Sequence, residues 1–171
     1  IKVGFHFLKN ETGILHIMLT MAVINFFSRL TYENILSPMI LSRSSGNNIV
    51  LGIVNACMGI GGIIGGLLVS VKKESRKKAN MIYISAAVSF LLGDWTMAIG
   101  RNVFFWSFAA FAASLPIPFI TAEQNVILYK KIPEKMQGRV FAVRNAIQYS
   151  TIPFSILLGG YLSLIHISEP T

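Results

Sequence analysis

Along the chain, long apolar runs alternate with short polar connections. A helix that crosses a hydrocarbon core about 30 Å thick needs roughly 20 mostly apolar residues. Five stretches reach that length, at about 14–41, 49–71, 81–100, 103–129 and 140–160. The first carries Arg29 and Glu33, the second no charge, and the third Asp94. The fourth holds Pro116, Pro118 and, toward its end, Glu123, and the fifth has Arg144 in its first turn and Pro153 inside it. The runs are continuous and lack the alternation that marks strands of a membrane barrel. The expected fold class is an all-α membrane protein, a five-helix antiparallel transmembrane bundle.

The connections refine this picture. Ser42 to Asn48 (SRSSGNN) and Gly100-Arg101-Asn102 are too short for anything but hairpin turns, so successive helices should be antiparallel neighbours and residues 14–161 one transmembrane domain. Residues 1–13 mix Phe5, Phe7 and Leu8 with Lys2, Lys9 and Glu11, which suits a membrane surface and the end of a longer cytoplasmic interdomain loop. The chain opens at Ile1 without a signal-peptide pattern and is expected to start in mid-protein. The last ten residues, 162–171 (LSLIHISEPT), resemble a translated transposase adaptor from sequencing libraries. They are expected to be a non-native tail, the alternative being a genuine polar helix end.

Composition agrees with a lipid environment. The chain is 53% hydrophobic and 13% charged, against about 25% charged in soluble domains. The formal charge of +8 raises the question of nucleic acid, but the basic residues do not gather on one solvated face. With the first helix starting inside, twelve of the fifteen Lys and Arg fall in cytoplasmic segments and three, Arg29, Arg43 and Arg101, on the outer side. Membrane topology therefore accounts for the charge, and no nucleic-acid partner is expected. Trp95, Trp106 and Tyr129 fall near helix ends, where amphipathic rings favour the headgroup layer. The single cysteine, Cys57, excludes an intramolecular disulfide, and no His/Cys cluster suggests a metal or cofactor.

Candidate chemistry lies in three places. In the second helix, Gly61 and Gly65, and Gly62 and Gly66, are each four apart, a spacing that lets helix backbones approach closely. This serves static packing, a helix that slides against a partner, or both. Arg29 and Glu33 lie four apart with Asn25 one turn earlier, either as an internal ion pair or as substrate or proton-coupling groups, since charges inside the bilayer are costly unless paired or hydrated. Glu123, beside Gln124 and Asn125, is a further such group, or alternatively a partner for Arg139 or Arg144.

Two segments carry a family resemblance. Gly65 and Gly66 run into Lys72, Lys73, Arg76, Lys77 and Lys78, and this stretch resembles a degenerate signature loop of major facilitator transporters, with Ser70 where the acid belongs. Ile132-Pro133-Glu134-Lys135-Met136-Gln137-Gly138-Arg139 resembles the loop between helices ten and eleven in the macrolide-efflux and siderophore-exporter branch of that superfamily. The start, Gly4 to His16, is similar to the end of that branch's central loop. The resemblance covers about residues 2–161 as helices seven to eleven. It implies a partial C-terminal half of a twelve-helix fold, in a bacterial cytoplasmic membrane, with the basic loops acting in gating. It also implies that helices seven and ten line the cavity, which places Asn25, Arg29, Glu33 and Glu123 as candidates there.

The function so implied is a proton-coupled exporter of a bulky, partly apolar solute such as a drug or siderophore, working by alternating access. Its partners would be membrane lipid, the solute and a missing N-terminal half. An importer or exchanger of the same fold, or a non-transporting membrane assembly protein, are the alternatives. An integral-membrane enzyme would need His, Asp, Ser or Cys clustered at one depth, and no catalytic residue is assigned.

Overall fold

The computed structural model describes residues 8, 9, 11–73 and 77–168, with the side chains of Glu33 and of residues 162–168 outside the description. The residues described are helical apart from short connections. Among the described residues five long helices follow one another: α1 Thr12–Arg43, α2 Asn48–Val71, α3 Lys78–Ile99, α4 Val103–Lys131 and α5 Glu134–Ser168. The first four are long and apolar enough to cross a membrane. At 1.5 Å per residue, even α3, with 22 residues, is about 33 Å long. Among the described residues α5 does not join these four, since Arg139, Arg144, Asn145, Gln148, Ser150 and Thr151 dilute its apolar stretch. Its backbone stays helical through Ser168, while Pro170 lies outside the described residues.

Large apolar side chains are widely exposed, among them Val71 (80%), Phe104 (76%), Ile49 (73%) and Leu157 (72%). A water-soluble domain does not leave such surface uncovered, whereas lipid covers it at no cost. The chain is thus an all-α integral membrane protein.

The helices fall into two compact units, residues 41–127 and residues 1–40 with 128–171. In the first unit, Gly61 of α2 faces Phe111 and Ser114, and Gly65 faces Leu115 and Pro118, so α2 and α4 run parallel. The principal partner of α2 is thus α4, not the helices beside it in sequence. α3 runs against α4: Gly93 lies on Ala113, the Ser89 hydroxyl donates to the Ala113 carbonyl at 2.6 Å, and Lys78 at its start reaches Glu123. Gly93 belongs to a wide π-type turn, Ser89–Asp94. With no Cβ, it lets α4 approach to backbone contact.

Local chemistry fixes the ends. After α1 the chain reverses through Ser45 (φ 56°) and Gly46 (φ 78°), whose amide donates to the Leu41 carbonyl at 2.8 Å, closing the helix in the six-to-one pattern that a left-handed residue permits. Asn47 then caps α2, its Oδ1 accepting from the amides of Ile49 (2.9 Å) and Val50 (3.4 Å). Asn102 does the same for α4, accepting from Phe105 at 3.0 Å. The Gly100 carbonyl between α3 and α4 accepts from Trp106 Nε1 at 2.9 Å and from Arg43 at 3.3 Å. Trp106, whose N–H has this acceptor, is buried (2% exposed), while Trp95 is 69% exposed. α4 breaks at Leu115–Pro116 and resumes at Ile117, since Pro116 and Pro118 supply no amide to the ladder.

In the second unit, α1 and α5 pack in parallel. Ile14 and Met18 share a core with Val140 and Val143, joined by Leu8, Leu128 and Ile132, and further along Asn34 meets Ser155 and Gly159. Leu8, from the segment expected to lie on the membrane surface, is fully buried there. α5 begins at Glu134, so Glu134, Gly138 and Arg139, expected in a loop, are helical, with Pro133 just before. The reason is local: proline is tolerated at a helix start and an acid in the first turn complements the helix dipole. Gln137 Nε2 reaches back to the carbonyls of Tyr129 (3.4 Å) and Ile132 (3.2 Å), satisfying acceptors at the end of α4.

Candidate functional site

The most developed charged cluster forms where α2 ends and α3 begins. Glu123 is 8% exposed on the second part of α4. Its Oε1 accepts from Lys72 Nζ at 3.3 Å and its Oε2 lies 4.0 Å from Lys78 Nζ, so lysines at the two ends of the α2–α3 connection converge on one carboxylate. The Lys72 ammonium also stands 5.4 Å from the centre of the Phe119 ring, one turn before Glu123. A hollow of about 200 Å³, lined by Val69, Lys72, Lys73, Phe119, Ala122, Glu123 and Val126, opens beside the cluster. From the sequence these lysines are expected in the connection after the glycine-rich helix and Glu123 toward the end of the fourth apolar run. The structure joins them into one ionic latch between α2, α3 and α4.

The Glu123 side chain is 10% exposed and that of Lys72 31%, so the pair is neither dry nor a surface bridge. Surface pairs contribute about 0–1 kcal/mol and breaking a buried one costs about 3–5, so the loss of this latch costs about 2 kcal/mol. An ionic contact of that size holds the helix ends together yet yields to a competing charge. Arg76, also expected in the loop, lies outside the described residues, and Lys73 is exposed at the rim of the hollow. Gln124, next to Glu123, is 5% exposed, and its Nε2 has no hydrogen-bond partner among the described residues.

Of the two glycine pairs in α2, the structure uses one. An added Cβ at Gly61 would stand 2.6 Å from the Phe111 carbonyl oxygen, and one at Gly65 would run into the Leu115 carbonyl oxygen, whereas Gly62 and Gly66 face open space. The receiving surface on α4 is built of the Phe111 backbone, buried Ser114, the Leu115 carbonyl left standing at the proline break and the Pro118 ring. Part of this surface lies in the run Ala109-Ala110-Phe111-Ala112-Ala113-Ser114, which needs α2 as its partner to be recognised.

Asn25 and Arg29 are half-buried on one face of α1, and the Glu33 side chain lies outside the description. Between Arg29 and Leu36 the backbone opens into a second π-type turn, Leu30–Ile35. In this turn the Asn34 side-chain amide donates to the Arg29 carbonyl at 3.4 Å and to the Ser155 carbonyl of α5 at 3.5 Å. Asn34 and Ser155, absent from the sequence reading, thus tie the wide turn to the neighbouring helix. Gly138 faces open space, and Pro133, Glu134 and Arg139 are exposed at the start of α5. Among the described residues no group of His, Cys, Asp or Glu is placed to hold a metal ion. Comparison of the chain with protein families, curated proteins and solved structures gives no match.

Proposed function

We propose that this chain is helices seven to eleven of a major facilitator transporter, a proton-coupled exporter of a bulky, partly apolar solute in a bacterial cytoplasmic membrane. The observation that carries the reading is the latch of Lys72 and Lys78 on Glu123. Two helices that must separate at one end of a cavity need a contact strong enough to hold and weak enough to break, and an ionic pair of about 2 kcal/mol meets both demands. The smooth parallel contact of Gly61 and Gly65 with α4 supports the same reading, because small residues let two helices shift without unlocking interdigitated side chains. The residue resemblance of the loops at 65–78 and 132–142 supplies the superfamily.

The test uses the complete gene product in which these residues lie, reconstituted into vesicles with an imposed pH gradient. The expected result is gradient-driven movement of lipophilic dyes or siderophores, reduced by Glu123→Gln and by Arg29→Gln. Flux that ignores both exchanges, or no gradient-dependent flux across such a panel, overturns the reading and favours an assembly role.

A further inference from the structure

The end of the first unit opposite the Glu123 latch carries two adjoining hollows. One, of about 470 Å³, is lined by Arg43, Ala98, Ile99 and Arg101. The other, of about 370 Å³, is lined by Trp95, Thr96, Ile99, Gly100, Arg101, Asn102 and Phe105. They share Ile99 and Arg101, so a polar group resting in the first has an apolar trough beside it. We propose that this is a binding site for an anionic phospholipid, with the phosphate between Arg43 and Arg101 and an acyl chain along Trp95, Ile99 and Phe105.

Charge carries the first half of the argument. Both arginines are exposed, and among the described residues no acid lines either hollow. Arg43 commits one terminal nitrogen to the carbonyls of Ala98 (3.2 Å) and Gly100 (3.3 Å), the free acceptors at the end of α3. Its guanidinium is therefore held in place while its remaining N–H donors stay available. Arg101 has no partner among the described residues and sits on the rim common to both hollows. Two cations without a counter-ion among the described residues, one of them fixed by its own fold, suit a phosphate oxygen cluster. With two cations and, among the described residues, no carboxylate lining the hollows, a net anionic headgroup is favoured over a zwitterionic one.

Apolar shape carries the second half. Trp95 and Ile99 are each 69% exposed and Phe105 48%. They stand beside the arginines at the helix ends, the depth at which a headgroup gives way to its chain and at which tryptophan settles. A free phosphate ion would use the arginines but leave this trough bare, whereas a phospholipid uses both. A lysine or arginine beside an anionic membrane surface contributes about 1 kcal/mol, so each arginine is expected to enrich an anionic headgroup about fivefold.

The experiment takes the full chain in phosphatidylcholine vesicles containing a minor share of phosphatidylglycerol, one lipid or the other carrying brominated chains that quench tryptophan on contact. Trp95 is the reporter, and the Trp95→Phe protein gives the baseline of buried Trp106. Brominated phosphatidylglycerol is expected to quench Trp95 well beyond its mole fraction, and brominated phosphatidylcholine is not. Arg101→Gln, which removes no contact among the described residues, should lower the enrichment about fivefold, and Arg43→Gln with Arg101→Gln should abolish it. Equal quenching by the two lipids, or a preference that survives the double exchange, overturns the proposal. Displacement of the brominated lipid by inorganic phosphate at constant ionic strength would assign the arginines to a soluble anion, and also overturns it.

Discussion

Replacing Gly65 with alanine drives a methyl group into the Leu115 carbonyl oxygen, with Pro118 Cδ only 3.2 Å away, and neither neighbour can turn aside because one is backbone and the other a ring. Overpacking of this kind costs about 1–3 kcal/mol. The same exchange also gains helix propensity, about 1 kcal/mol for alanine over glycine, which would blur a single measurement. Gly66→Ala supplies the correction. It is the next residue of the same helix, receives the same propensity gain and faces open space. The difference between the two variants therefore isolates the contact, and it should amount to about 1–3 kcal/mol, roughly fivefold to 150-fold in the ratio of folded to unfolded protein. The assay is unfolding in mixed micelles by increasing fractions of a denaturing detergent, followed by the fluorescence of buried Trp106, which belongs to the same unit as α2. Gly66→Ala should unfold at or above the parent midpoint, and Gly65→Ala clearly below Gly66→Ala. Coincident midpoints, or Gly66→Ala as the weaker protein, would refute the assignment of Gly65 to the α2–α4 contact.

Glu123→Gln removes the charge that gathers Lys72 and Lys78, and should lower stability in the same assay by about 2 kcal/mol, with a salt dependence smaller than that of the parent. Trp106→Phe keeps most of the ring volume but leaves the Gly100 carbonyl with one donor fewer, so a loss of about 1 kcal/mol is expected, and a larger loss would show that the indole acts mainly by packing. Gly93→Ala forces α3 away from Ala113, and disulfide trapping between cysteines placed at positions 89 and 113 should become slower than in the parent background.

The helices themselves are legible as apolar runs because lipid demands about 20 such residues and tolerates little else. The start of α5 was placed late, since Glu134, Lys135, Gln137, Gly138 and Arg139 read as a polar loop when judged by hydropathy, although Pro133-Glu134 is also a helix-start phrase. The two glycine pairs of α2 are equivalent in sequence, and only the position of the α4 proline break selects Gly61 and Gly65. Glu123 is legible as an acid inside an apolar run. Its partners are not, because Lys72 and Lys78 lie some fifty residues earlier and reach it only through the packing of α2 and α3 on α4. The wide turns at Leu30–Ile35 and Ser89–Asp94 leave no trace in composition, since neither contains proline.

Those wide turns have a geometric consequence. α1 is built of a regular stretch of 18 residues and another of 8, about 27 Å and 12 Å long, separated by a segment whose hydrogen bonds reach across an extra residue. α3 is divided in the same way, into 11 and 5 residues. At each wide turn the backbone ladder shifts by one residue, so the faces before and after it are offset from those of an uninterrupted α-helix. Asn34 on α1 and Gly93 on α3 are the points at which these segments meet α5 and α4.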